Sequence, residues 1–144
     1  KLVRKYPKKV AAYLEFNAND ATKVYAGSDM FLMPSRFEPC GLGQLISLRY
    51  GSIPIVRSVG GLASTITDYN LHTRKGNGFV FKSYDSRDLL VAIARAVEAH
   101  KDRDAWIQLM KDGMQQSFSW RIPAKKYVQL FQRALAHKRQ NLHA

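Results

Sequence analysis

The loop at residues 34–43 combines a carboxylate with glycines at the expected start of a helix. Glu38 comes three residues before Gly41, and Gly43 follows in the same loop. Backbone N–H groups at a helix start are free to bind an anion, and a glycine has no side chain to block a ligand. The loop therefore offers a carboxylate beside an anion pocket. Taken alone, the glycines also suit a structural turn, and Glu38 suits a contact with the helix dipole.

A second glycine turn, Gly60-Gly61, follows the next apolar run of the chain. Both turns are expected to join a strand to a helix. Because parallel strands present their carboxyl ends at one edge of a sheet, ligands bind there. The two glycine turns are therefore expected to face one ligand.

Cys40 lies inside the first loop and is the only cysteine. An internal disulfide and a multi-cysteine zinc site are excluded, and the four histidines have no metal-ligand spacing, so we predict no metal. Cys40 is interpreted as a small packed side chain or, at a helix start, as a reactive thiol. We expect Arg36 to be an ion-pair partner near the site. A single thiol fits a reducing compartment, which would be the cytoplasm, or a plastid in a plant.

Short apolar runs alternate with helical patterns along the first part of the chain. Strands are predicted at residues 10–16, 30–33, 53–56 and 78–81. Helices are predicted between them at residues 19–26, 41–50 and 62–66. Strands that are apolar on both faces indicate a parallel sheet covered on both sides, so the fold class is α/β with about four parallel strands.

The last part of the chain is predicted to be helical. Asp85 is expected to cap a first helix, a second is expected over residues 104–116, and Ser119 or Pro123 is expected to open a third. Trp106 and Trp120 are expected to anchor these helices by packing. The 144 residues show no repeat and no linker, which fits a single domain.

The chain carries 23 Lys and Arg against 11 Asp and Glu, a formal net charge of +12. Such a charge is compatible with polyanion binding, but no nucleic-acid motif of defined spacing is present. No apolar run approaches the roughly 20 residues of a membrane span, and the first residues lack the apolar core of a signal peptide. A non-catalytic basic α/β module that binds polyanions or a protein partner therefore stays open as an alternative function.

Three motifs together resemble a known family. They are Ser35-Arg36-Phe37-Glu38-Pro39-Cys40-Gly41-Leu42 with Gln44-Leu45, then Arg49-Tyr50-Gly51 and Gly60-Gly61-Leu62. This combination resembles the donor-nucleotide domain of bacterial glycogen synthases and plant starch synthases. The resemblance continues through residues 78–81 to Phe118-Ser119-Trp120 and the helix that contains Tyr127.

The resemblance implies a GT-B glycosyltransferase, in which two Rossmann-like domains enclose the site. The family transfers glucose from ADP-glucose, or UDP-glucose in some relatives, to the non-reducing end of an α-1,4-glucan with retention at the anomeric carbon. It needs no metal and no cofactor, and ADP is its product. Residues 1–144 would then be a partial Rossmann-like donor domain, without the acceptor domain.

The resemblance also implies roles for single residues. Glu38 matches the carboxylate beside the donor glucose, and Phe16 matches an aromatic residue that stacks on adenine. The remaining matches lie in the two glycine turns. The backbone of Cys40 and Gly41 matches contacts to glucose hydroxyls, Leu42 and Gly43 match the diphosphate cradle, and Gly60 and Gly61 complete the substrate-binding set.

Departures from the family pattern occur at three positions. Gly43 stands where many relatives have Thr, Ile46 stands at the second place of a wider two-glutamate pattern, and Phe16 stands where Tyr is frequent. The family's acceptor domain and its diphosphate-neutralising Arg and Lys have no match in the chain. We therefore expect the isolated chain to be inactive as a transferase and to expose sheet edges or self-associate.

Overall fold

The computed structural model of the protein describes residues 1–15 and 17–141. The helices of these residues are α1 (Leu2–Lys5), α2 (Ala18–Gly27), α3 (Gly43–Arg49), α4 (Gly60–Thr65), α5 (Ser86–Lys101), α6 (Arg103–Gln115) and α7 (Arg121–Asn141). The strands are β1 (Met30–Met33), β2 (Ile53–Arg57) and β3 (Phe79–Phe81). In the described residues no helix is both long and apolar enough to cross a membrane.

The three strands form one parallel sheet in the order β1-β2-β3. Leu32 pairs with Ile55, and Val56 pairs with Val80. The predicted α/β class with a parallel sheet is confirmed. The predicted strand at residues 10–16 is wrong over residues 10–15, which form no strand and are mostly exposed, while Phe16 lies outside the described residues. A strand needs a neighbour for its backbone N–H and C=O groups, and in the described part of the chain β1 pairs only with β2.

Helices cover both faces of the sheet because successive side chains of a strand point to opposite faces. Ile53 and Ile55 of β2 belong to a buried cluster with Phe79 and Trp106. Val56 belongs to a second buried cluster, formed with Leu48, Leu62 and Ile66. Trp106 is 1% exposed, so its predicted role as an anchor is confirmed.

Capping residues explain where the helices begin. The Asp85 carboxylate accepts a hydrogen bond from the Arg87 backbone N–H at 2.8 Å, which confirms the predicted cap of α5. Asn17 caps α2, because its side chain accepts hydrogen bonds from the N–H groups of Asn19 and Asp20. Asp102 caps α6 by accepting from the Ala105 N–H. Each cap satisfies an N–H group that has no partner inside its helix.

The buried face of α3 is partly polar. Leu42, just before the helix, is 66% exposed and Ile46 is 40% exposed. The helix instead buries three other residues, Gln44, Ser47 and Leu48. A polar side chain is stable in a core when its hydrogen bonds are made, and the site described below shows what Gln44 bonds.

The apolar side chains of α7 are exposed, although the predicted C-terminal helix itself is confirmed. Tyr127 is 52% exposed, Leu130 58% and Phe131 61%. Trp120 is 72% exposed, so the prediction that it anchors a helix by packing is wrong. Its ring contacts Tyr127, whose ring contacts Phe131, and this aromatic row runs along the helix surface.

Candidate functional site

The two glycine turns predicted to face one ligand lie directly against each other. The Gly61 N–H donates a hydrogen bond to the Glu38 carbonyl oxygen at 3.3 Å. A Cβ atom added at Gly60 would overlap the Glu38 carbonyl, and one added at Gly61 would overlap the Cys40 carbonyl. Glycine at both positions is therefore required for the close approach of the two backbones. Contact of Gly60 and Gly61 with substrate stays a prediction.

Glu38 lies at this junction, after the carboxyl end of β1, and its side chain is partly buried. Its Oε2 atom is 3.3 Å from the Ser35 hydroxyl, which donates a hydrogen bond to it. Arg36 forms no ion pair in the described part of the chain, so the prediction for Arg36 is wrong. Its guanidinium group lies over the rings of Phe37 and Tyr84 instead. The carboxylate is thus oriented by a hydroxyl group.

The backbone after Glu38 turns sharply into α3. Gly41 has a φ of +75°, a conformation that L side chains rarely adopt. Among the described residues no acceptor is found for the N–H groups of Cys40, Gly41, Leu42 and Gly43. Such groups are available to an oxyanion. The Cys40 side chain is exposed, so its interpretation as a packed side chain is wrong, and Leu42 also points its side chain toward solvent.

Gln44 packs against the buried side of this turn. It belongs to one of the family motifs, but no role in the site was predicted for it. It is fully buried, and its Nε2 atom lies 3.4 Å from the Cys40 carbonyl and 3.1 Å from the Gly41 carbonyl. The same atom is 3.2 Å from the Thr65 hydroxyl of α4. One amide group thus joins both glycine turns. The signal in the sequence is a glutamine in the first turn of a helix, three residues after Gly41.

Thr65 extends this connection to the second turn. Its hydroxyl donates a hydrogen bond to the Gly61 carbonyl at 2.7 Å. The hydrogen bonds therefore run from Gln44 through Thr65 to Gly61, and from Gly61 to Glu38. All three of these contacts of Gln44 use its Nε2 atom, and its buried Oε1 atom has no hydrogen-bond partner among the described residues.

A cavity of about 720 Å³ lies beside α2 and β1, and Tyr13, Glu15, Tyr25 and Phe31 are among its lining residues. Two of these side chains lie close to the first turn, because a Cβ atom added at Gly43 would come within 3.1–3.2 Å of the Phe31 ring and the Tyr25 hydroxyl. The predicted stacking residue, Phe16, lies outside the described residues, so its role stays a prediction.

In residues 1–15 and 17–141 no group of three or more His, Cys, Asp or Glu side chains could hold a metal ion. The chemistry that the described side chains offer is that of one oriented carboxylate beside a row of free backbone donors and a largely apolar cavity.

Comparison with known proteins agrees with the motifs. Residues 2–112 match the family model of glycosyl transferases group 1. The glycogen synthase of Desulforudis audaxviator is 57% identical over 131 residues, 90% of this chain and 26% of the relative. The glycogen synthase of Fervidobacterium nodosum is 54% identical over 134 residues, 93% of this chain and 28% of the relative. The resemblance to this group of enzymes is confirmed.

Solved structures show the same relationship. The chain matches the catalytic domain of starch synthase IV from Arabidopsis thaliana, bound to ADP and acarbose, with a TM-score of 0.81 and 35% identity. The match covers 94% of this chain and 29% of that one. A sucrose-phosphate synthase from Thermosynechococcus elongatus matches with a TM-score of 0.66 and 25% identity, over 94% of this chain and 33% of that one. The predicted partial Rossmann-like architecture of a GT-B enzyme is confirmed by the starch synthase match.

The chain spans about a quarter to a third of the length of these relatives. The family match, in contrast, extends over most of the chain and includes both glycine turns, Glu38 and Gln44. On that match, the chain belongs to the glycosyl transferases group 1 family.

Proposed function

We propose that the chain is the donor-nucleotide part of a glycogen or starch synthase. The whole enzyme would transfer glucose from ADP-glucose to the non-reducing end of an α-1,4-glucan, with retention of anomeric configuration. The observation that carries the proposal is the junction of the two glycine turns, which sets Glu38 beside the unpaired N–H groups of residues 40–43. The names of the similar proteins, and ADP in the Arabidopsis thaliana structure, support the same substrate class.

The nucleotide would lie across the first turn. The diphosphate would accept hydrogen bonds from the N–H groups of Leu42 and Gly43, and the glucose hydroxyls would contact the backbone at Cys40 and Gly41. The cavity lined by Tyr25 and Phe31 would hold the adenosine part, because these two side chains lie next to Gly43. In this arrangement, stacking of adenine by Phe16 is a further part of the proposal.

Glu38 would act at the sugar. As the bond from the anomeric carbon to the diphosphate breaks, positive charge develops on the glucose ring, and a fixed carboxylate stabilises such charge. The backbone donors would stabilise the negative charge that develops on the departing ADP. The acceptor hydroxyl oxygen would bond to the anomeric carbon on the face that ADP leaves, and its proton would pass to the departing diphosphate oxygen. No metal or cofactor is part of this proposal, and we place the enzyme in the cytoplasm, in keeping with a lone exposed thiol at Cys40.

Nucleotide binding is tested by NMR of the 144-residue chain, recorded with and without ADP at moderate salt. We expect saturable amide shifts at Phe16, at the N–H groups of residues 38–43 and at the residues that line the cavity, and none elsewhere. Gly41→Val, which forces a β-branched side chain into a left-handed backbone, is expected to weaken binding, whereas Gly27→Ala, with no atom within 4 Å of its added Cβ, leaves it unchanged. An ADP titration without saturable shifts in residues 38–43 would contradict the donor-site assignment.

Transfer is tested in a chimaera, in which this chain replaces the matching part of the Desulforudis audaxviator glycogen synthase. We expect glucose transfer from ADP-glucose to a glucan, and loss of transfer in Glu38→Gln with ADP binding retained. The isolated chain is expected to bind ADP without transferring glucose. Transfer by Glu38→Gln at the rate of the unmodified chimaera would remove Glu38 from the mechanism.

A second candidate function, the basic module that binds polyanions, is favoured by one observation, the net charge of +12. Counterion release makes such binding fall steeply with salt and gives little preference among anions. Heparin and ADP titrations at two salt concentrations separate the two functions. Selective ADP binding supports the donor site, and salt-dependent binding of any anion supports the basic module.

A further inference from the structure

Two arginines meet at the carboxyl edge of the sheet, on residues that the glycine turns do not use. Arg57 is the last residue of β2, Arg36 lies in the loop after β1, and Tyr84 lies in the loop after β3. Because the three strands are parallel, their carboxyl ends bring these three loops together. We define these three residues as the arginine–tyrosine cluster.

Arg57 is held in one orientation before any ligand arrives. Its Nη1 donates to the Arg36 carbonyl oxygen at 2.8 Å, and its Nε donates to the Lys82 carbonyl oxygen at 3.4 Å. Its guanidinium carbon lies 5.3 Å from the centre of the Tyr84 ring. A guanidinium group has five N–H donors, so these two bonds leave the other donors of Arg57 available.

Arg36 brings a second positive charge to the same ring. Its guanidinium carbon lies 5.9 Å from the centre of the Tyr84 ring and 5.8 Å from that of Phe37. Two like charges beside one aromatic ring repel each other, and an anion bound between or beside them would offset that repulsion. The Tyr84 ring therefore holds both guanidinium groups by cation–π contact, but it carries no negative charge that would neutralise them.

Protein carboxylates do not supply that anion in the described part of the chain. Neither arginine, nor the neighbouring Lys82, forms an ion pair there. The nearby acidic groups have other partners. Glu38 accepts from the Ser35 hydroxyl, Asp85 from the Arg87 N–H, and Asp88 from the Ser83 N–H.

We propose that the arginine–tyrosine cluster is a phosphate-binding site, which takes a phosphate monoester or diphosphate group. Guanidinium groups bind such groups through paired N–H donors. The phosphate could come from the nucleotide donor itself or from a separate phosphate-bearing ligand. The proposal stands on the geometry of Arg57, Arg36 and Tyr84, and it does not depend on the transferase assignment.

The test follows the Nε–Hε signals of Arg36 and Arg57 in the 144-residue chain by NMR. Inorganic phosphate is titrated against chloride at constant ionic strength. We expect saturable shifts of both signals with phosphate and none with chloride. Arg57→Lys keeps the charge but removes the paired donors, and should weaken phosphate binding about tenfold, the equivalent of one lost charge-assisted hydrogen bond. The matched control, Arg103→Lys on the exposed start of α6, should leave binding unchanged.

A parallel ADP titration identifies the source of the phosphate group. Shifts of Arg57 and Gly43 with one common dissociation constant assign the cluster to the donor diphosphate. Phosphate binding that leaves Gly43 unmoved and does not compete with ADP assigns it to a separate ligand. If Arg57→Lys perturbs the amide spectrum broadly, Arg36→Lys, an exposed residue, replaces it in the comparison. Equal shifts with chloride, or equal weakening by the cluster variant and Arg103→Lys, would overturn the proposal.

Discussion

Gly61 and Glu38 are joined by a backbone hydrogen bond of 3.3 Å that crosses from one glycine turn to the other. The bond fixes the carboxyl end of β1 against the start of α4. A carboxylate that acts in catalysis must be held within a fraction of an ångström of its working position, and the role proposed for Glu38 would use a backbone that a neighbouring loop holds in place. The residues that fix it are as important to the site as the carboxylate.

Gly61→Ala tests this contact. The added Cβ would overlap the Cys40 carbonyl, so the backbone of one turn has to move, and we expect a loss of about 2 kcal/mol in the free energy of unfolding. Gly27→Ala, at the end of α2 with no neighbour within 4 Å, should change it by less than about 1 kcal/mol. Urea denaturation measures both. Equal free energies of unfolding for Gly61→Ala and Gly27→Ala would contradict the prediction, because the two glycine turns could then move apart at little cost.

Substitutions of Gln44 test the buried amide. Gln44→Met keeps the volume but leaves the Cys40 and Gly41 carbonyl groups without their donor, and should cost about 2 kcal/mol. Gln44→Glu should cost more, because it buries a carboxylate against carbonyl oxygens. Gln129→Met, on the exposed face of α7, is the matched control. The free energy of unfolding from urea titration should follow this order, and a neutral Gln44→Met would contradict it.

Asp88 should make the stability depend on acid pH. Hydrogen bonds from the side chain and the backbone N–H of Ser83 lower the pKa of Asp88 from its ordinary value of 3.8. A carboxylate with a lowered folded-state pKa stabilises the protein above its unfolded pKa, and this contribution is lost as the pH falls through the folded-state value. We therefore expect Asp88→Asn to be less stable than the original chain at pH 7, with the difference disappearing near pH 2. Urea denaturation at the two pH values checks this, and a constant difference would refute it.

Tyr69 should limit the stability at alkaline pH. Burial raises its pKa above the ordinary 10.0, so the folded protein retains the phenol proton where the unfolded chain loses it. Stability from this group is complete below pH 10 and falls as the pH rises through the folded-state pKa. Tyr69→Phe keeps the ring and should reduce the alkaline loss, whereas Tyr13→Phe, at a 69% exposed position, should not. Thermal melting between pH 8 and about pH 11 distinguishes the two variants.

Exposed apolar residues of α7 should make the chain self-associate. Leu130, Phe131 and Leu135 are each more than half exposed, and contiguous apolar patches of this kind promote association. Sedimentation velocity should show a sedimentation coefficient that rises with concentration. Leu130→Ser with Leu135→Ser should lower the association, while Gln129→Ser should not. A sharp monomer peak at all concentrations, with cooperative thermal unfolding, would contradict the prediction.

Local patterns predicted the elements well wherever both partners of an interaction were close in the sequence. The strand at Met30–Met33 and the Asp85 cap depend on neighbouring residues, and both are confirmed. Residues 10–15 have the composition of a strand, but a strand also needs a second strand beside it. The exposed Trp120 shows the same limit, because burial depends on what packs against a side chain.

The site was predicted in part. Glu38 and the glycine turns were found because a carboxylate and glycines at strand ends are visible in the sequence. Gln44 was missed because its partners, the Cys40 and Gly41 carbonyl groups and Thr65, are defined by the folded backbone. Gly60 and Gly61 were interpreted as ligand contacts, whereas their close approach to Glu38 and Cys40 can only be seen once the two loops are in place.

The order of strands in the sheet is the order of strands in the chain. Each new strand therefore pairs with the one synthesised just before it, across a single helical connection. Each pairing closes a loop of roughly two dozen residues, and the entropy cost of closing a loop rises only slowly with its length. The sheet can consequently be assembled one strand at a time as the polypeptide leaves the ribosome, and the Glu38 turn is completed when the segment that carries Gly60 and Gly61 has emerged.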